Sequence, residues 1–226
     1  MLEDSELQAG RRELSFFGTI TASVTHELNN VLSIVEQVAG LLEDMLAAQE
    51  SGYPVKPEKL ARIHERITRQ TKRGVGIIKS LNSFAHGTDE PVSEFDLNHI
   101  VGNIITLSTR FAELKKVRLE SEYTAEEVKI TGDPFLLQQA VFSGFQFLLE
   151  DAKKDDTIVV TVSQHENGSA AQVQIKGPAH EKSNRDEPRI EFLNYLTAEL
   201  GGTFTMNGSE DHRETLTLYF PLNKFA

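Results

Sequence analysis

The stretch "FFGTITASVTHELNNVLSIV", Phe16 to Val35, decides how the chain is read. Phe17, Val24, Val31, Val38 and Met45 recur every seven residues, with Leu28, Val35 and Leu42 interleaved. That alternation of four and three is a coiled-coil seam, and it predicts a helix from Ser15 to about Gln49. Leu32, Ala39 and Leu46 widen it to the face of a helix in a bundle. "ESGYPVKPE" breaks the pattern, and Pro57 suits the first turn of a second helix. That helix has Leu60, Ile63, Ile67, Gly74, Ile77, Ile78, Leu81 and Phe84 on its apolar side. Its exposed face is basic: Lys59, Arg62, Arg66, Arg69, Lys72 and Arg73. Two such helices joined by a short loop form an antiparallel hairpin, which cannot bury so wide a seam alone. A second copy would complete a four-helix bundle, so residues 15–86 predict a homodimer.

Beyond residue 88 the texture changes. "GTDEPVSEFD" reads as a linker, followed by a helical pattern from Leu97 to Leu114. "KVRLESEY" and "EVKITG" read as short strands. Asp133 and Pro134 cap and open a strong helix, "DPFLLQQAVFSGFQFLLEDAKK". "DTIVVTVSQHENGSAAQVQIKG" alternates with the strand period and turns at Asn167-Gly168. "RIEFLNYLTAEL" is a further helix stopped by Gly201-Gly202, and "TFTMNG" with "ETLTLYFPL" forms a second hairpin. Helices interspersed with antiparallel strands predict an α/β sandwich, so the whole is α+β. The expected domains are a lead-in (1–14), the helical hairpin (15–88) and the sandwich (89–226).

Composition narrows the function classes. The net charge of −11 argues against nucleic acid and anionic membrane as partners. It is uneven: residues 1–88 hold 10 Lys and Arg against 11 Asp and Glu, the remainder 13 against 23. Two modules with different tasks are expected. No apolar run approaches the roughly 18 residues of a membrane span, and the charged start lacks the apolar stretch of a secretory signal. Cys is absent, which removes disulfides and thiolate zinc sites and suits a cytoplasmic protein.

Within the opening stretch, His26 lies roughly 160° from the mean direction of the seam and therefore faces solvent. A zinc site is disfavoured, because Asn30 stands where a zincin helix needs its second histidine. Asn30 shares the face of His26, and Glu27 is its neighbour. An exposed imidazole with a carboxylate to orient it or take its proton suits attack on a phosphoryl group. A nearby amide can position a water for hydrolysis of an acyl phosphate. On these letters alone an ordinary surface histidine remains open. His64, His86, His99, His165, His180 and His212 read as surface residues.

The chain resembles the sensor histidine kinases of two-component signalling over nearly its whole length. "FFGTITASVTHELNNVLSIV" is similar to the family's H-box, which opens its dimerisation and phosphotransfer hairpin. The resemblance makes His26 the phosphoacceptor, and Glu27 and Asn30 the acid and amide of the H-E-x-x-N/T pattern. Val31 replaces a proline often found there. "FDLNHIVGNIITL", "ITGDPFLLQQAVFSGF", "ELGGTF" and "LYFPL" match, in order, landmarks of the GHKL-type ATP-binding domain.

The nucleotide-binding letters differ. Ser143 and Phe147 stand where the family's N-box carries Asn, and no Asn occurs from 104 to 166. "IKGPA" has Ile175 for the adenine-reading Asp and Ala179 for the last Gly. "EPRI", Glu187 to Ile190, stands where a glycine-rich loop would wrap the triphosphate. Without these groups, adenine, Mg²⁺ and phosphates each lose a partner. The resemblance extends to dimeric histidine phosphotransferases built on a kinase core. On that reading His26 exchanges phosphate with receiver-domain aspartates of a response regulator, and no cofactor is expected. Thr19, Ala22, Ser23 and Asn29 would help dock the receiver. One alternative is an ATP- and Mg-dependent histidine kinase. Another is a response-regulator phosphatase, in which Asn30 aligns a water, or a non-enzymatic dimeric scaffold. The basic row on the second helix is either a solvated face or a complement to an acidic receiver. No sensor or receiver is recognisable, so input is expected from another chain or another part of the gene.

Overall fold

The computed structural model describes residues 2–164, 169–179, 187–208 and 213–222, without the side chains of 2–9 and 187. The Asn167-Gly168 turn, His165, His180 and His212 lie outside them. Helix α1 (Leu2–Glu50) and helix α2 (Pro57–His86) form the antiparallel hairpin. α1 begins well before Ser15, so the expected lead-in is a continuation of the helix. Pro57 opens α2 as expected, and Gly87 closes it with its N–H on the carbonyls of Ala85 and Phe84.

The sandwich follows in the order β1 (Ser93–Asp96), α3 (Leu97–Lys115), β2 (Arg118–Glu122), β3 (Lys129–Gly132), α4 (Pro134–Asp151), β4 (Thr157–Gln164), β5 (Ala170–Pro178), α5 (Glu187–Glu199), β6 (Thr203–Gly208) and β7 (Arg213–Pro221). Five strands form one sheet ordered β2-β4-β5-β7-β6. β2 and β4 run parallel and the other pairs antiparallel, where the sequence suggested antiparallel strands alone. The parallel pair follows from the path between them, because β3 and α4 intervene and carry the chain back. β1 falls in the segment expected to be a linker, and it pairs with β3 in a separate ribbon. Four charge-rich residues carry little strand signal of their own. They are held by register with β3 and by Asp96, whose carboxylate accepts from the N–H groups of Asn98 and Val128.

Helix α4 organises the core. Asp133 caps it as expected, accepting from the N–H groups of Phe135 and Leu136. It is buried on nearly every side, with Leu137, Ala140, Val141, Phe145, Phe147 and Leu148 sealed from solvent. One side meets the sheet, while Phe135 and Phe142 meet Phe16 of α1 at ring-centroid distances of 5.3 Å. Phe84, near the end of α2, joins the same group edge-on to Phe16 at 5.4 Å. Each such side chain contributes about 1.5–3 kcal/mol through burial. Hairpin and sandwich therefore share one continuous apolar core.

Candidate functional site

His26 sits mid-helix on α1, exposed, with no hydrogen-bond or ion-pair partner among the described residues. Asn30, one turn on, is also exposed, as are Thr19, Ala22 and Asn29. Ser23, a member of the expected docking set, is by contrast only 8% exposed. It lies between the buried Ile20 and Glu27 at helical spacing, on the face turned toward α2 and α3.

Glu27 is also placed differently from the expectation. Its side chain is only 14% exposed and is bound to the guanidinium of Arg73 on α2. Arg110 of α3 approaches its other oxygen at 3.8 Å, and Glu113 lies 3.9 Å from Arg73. Consecutive helix positions diverge by about 100°, so His26 faces solvent while Glu27 faces the junction of three helices. In this arrangement the carboxylate does not touch the imidazole. A cleft of about 220 Å³ lies there, lined among others by Ser23, Glu27, Lys72, Arg73, Thr106 and Arg110. Arg110 escaped the sequence reading, since nothing in the letters pairs it with a residue on α1. Arg73 was visible only as one member of a basic row.

Arg62, Arg66 and Arg69 of that row are exposed and make no ion pair among the described residues. His64, His86 and His99 are exposed as expected, with His86 bound to Asp89 at 2.7 Å and His99 within 3.2 Å of the Ser83 hydroxyl. Among the described residues no cluster of three His, Asp or Glu could hold a metal.

Two of the positions expected to have lost nucleotide ligands lie in the core. Phe147 and Ile175 are fully buried. Ile175 packs so tightly beneath α4 that a Cβ on Gly144 would meet its Cδ1 at 2.8 Å. Neither an amide nor a carboxylate is available at these two places, and the space is closed by apolar atoms. Ser143 faces a separate cleft of about 360 Å³ between α1, α4 and α5, walled by Phe16, Phe142 and Phe192. Arg12 of α1 lies over the Phe192 ring, 4.8 Å from its centroid.

No protein-family model matches the chain. Sporulation kinase A of Bacillus subtilis (strain 168) is 21% identical over 215 residues, covering 93% of this chain and 34% of its own length. Sensor histidine kinase ZraS of Escherichia coli (strain K12) is 21% identical over 231 residues, covering 94% of this chain and 47% of its own length. The chain thus spans between a third and a half of the curated relatives it matches. Among solved structures, the catalytic domain of histidine kinase ThkA superimposes with a TM-score of 0.51 at 13% identity, over 58% of this chain and 96% of that one. ThkA in complex with response regulator protein TrrA gives 0.50 at 16% identity, over 98% of this chain and 66% of that one. The fold is a helical hairpin with an α/β sandwich like that of a histidine kinase catalytic domain, and these two sequence relatives are a sporulation kinase and a sensor histidine kinase. No described helix is long and apolar enough to cross a membrane.

Proposed function

We propose that the chain is a phosphorelay protein on a histidine-kinase core, with His26 as the phosphoryl acceptor. The observation that carries this reading is the exposed imidazole of His26 with the amide of Asn30 one turn away on the same helix. A ring nitrogen attacks phosphorus, the bond to the donor oxygen breaks, and the ring's N–H proton passes to water or a nearby carboxylate. Thr19, Ala22 and Asn29, together with the basic row of α2, would face the docked receiver.

The donor separates two finer readings. The kinase names of the relatives favour ATP with Mg. The sealed apolar side chains of Phe147 and Ile175 favour a receiver's aspartyl phosphate, because ATP and Mg do not fit the residues present there. We favour the second, a histidine phosphotransferase. Separate incubation with labelled ATP-Mg and with a phosphorylated receiver tests it. Label on His26 from the receiver alone is expected; label from ATP-Mg alone would establish the kinase. Phosphatase action would instead survive His26→Ala in part and be abolished by Asn30→Ala.

The hairpin's uncovered apolar face supports the homodimer. Leu32 is 63% exposed and Leu46 51%, with Leu60 and Ile78 also open on α2. A face this apolar is what a second hairpin would cover.

A further inference from the structure

The acceptor's neighbour is held from outside its own helix. Arg73 and Glu27 both belong to the hairpin, so their pair survives any movement of the sandwich. Arg110 does not belong to it: it is carried by α3, and among the described ion pairs it is the only group from the sandwich that reaches Glu27. Both partners are partly shielded, with side-chain exposures of 25% for Arg110 and 14% for Glu27. Water therefore screens the pair less than it would on an open surface.

We propose that Arg110 is a positioning residue through which the sandwich restrains His26. With Arg73 it draws the Glu27 carboxylate into the three-helix junction. There the carboxylate is engaged by both guanidiniums and directed away from the imidazole, so it is out of position to take the ring proton. Displacement of α3 withdraws one of the two guanidiniums and leaves Glu27 held by Arg73 alone, which loosens its hold in the junction and lets it assist more often. The sandwich thereby governs the acceptor through charge, whatever it binds. This rests on the reading of His26 as a phosphoryl acceptor.

Phosphoramidate is a suitable probe, since it is small and needs neither nucleotide nor receiver. The His26 nitrogen attacks phosphorus, the P–N bond breaks, ammonia departs with a proton, and the ring loses its own N–H proton. The rate of His26 labelling is followed by intact mass and peptide mapping in the full chain. Arg110→Met keeps the apolar stem and removes the charge. It is expected to label about fivefold faster than the parent, well short of the roughly 10²–10⁴-fold of a full general-base contribution, because Arg73 still holds the carboxylate. Arg110→Lys is expected to label at the parent's rate, and adding Arg110→Met to Glu27→Gln is expected to change nothing. An unchanged or slower Arg110→Met, or an acceleration that persists with Glu27→Gln, overturns the proposal and leaves the acceptor reading standing. Absence of label on His26 in every variant overturns both.

Discussion

The two halves of the hairpin carry similar letters and meet different partners. Near the sandwich, Phe16, Ile20 and Val24 of α1 and Phe84 of α2 are buried together with Phe135 and Phe142 of α4. Farther out, Val31 and Val38 are buried outside that shared cluster, Val31 against Gly74 of α2, and Leu32, Leu41 and Leu46 remain open. A heptad seam specifies that a helix needs a neighbour; it does not specify whether that neighbour is its own chain or another. The root of the hairpin is anchored to the sandwich core, whereas the far half leaves apolar side chains uncovered, the face that the proposed second copy would cover.

The contrast can be broken at its root. Phe16→Ala removes a ring that touches Phe84, Phe135 and Phe142, and should cost about 3–5 kcal/mol, read as a lowered urea midpoint. The far half should respond differently. Leu32→Glu with Leu46→Glu should weaken dimerisation by about 2 kcal/mol or more in sedimentation equilibrium, with little change in monomer helicity by circular dichroism.

Gln138 sharpens the contrast from within the sandwich. It is fully buried, neither end of its amide has a partner, and its Nε2 lies 2.6 Å from where a Cβ on Gly87 would be. Gln138→Met should stabilise the junction by about 1 kcal/mol, seen as a raised unfolding midpoint. The smallest expected effect is on the basic face. Arg66→Gln should alter fold stability by less than about 0.5 kcal/mol, while flattening the salt dependence of association with an acidic receiver.

Much of this was legible in the letters because it is local. Helix limits at Pro57, Leu97 and Pro134, the Asp133 cap and the outward turn of His26 follow from spacing and capping over a few residues. What depended on distant pairing was not. Phe16 and Ile20 lie off the heptad seam, and their burial needs α4. β1 looked like linker because only its pairing with β3 makes it a strand. Ser23 and Glu27 carried the letters of an active surface, yet their face is decided by α2 and α3.

Gly144 and Ile175 have a consequence for how this sequence can change. The methyl end of Ile175 occupies the room that any side chain at 144 would need. A larger residue at 144 must therefore follow a shorter one at 175. An acid introduced at 175 alone would be trapped under α4, beyond the reach of water. The pair acts as a ratchet: each step toward a polar pocket is penalised until the helix above has shifted, so this part of the sandwich drifts more readily between apolar packings than toward a carboxylate.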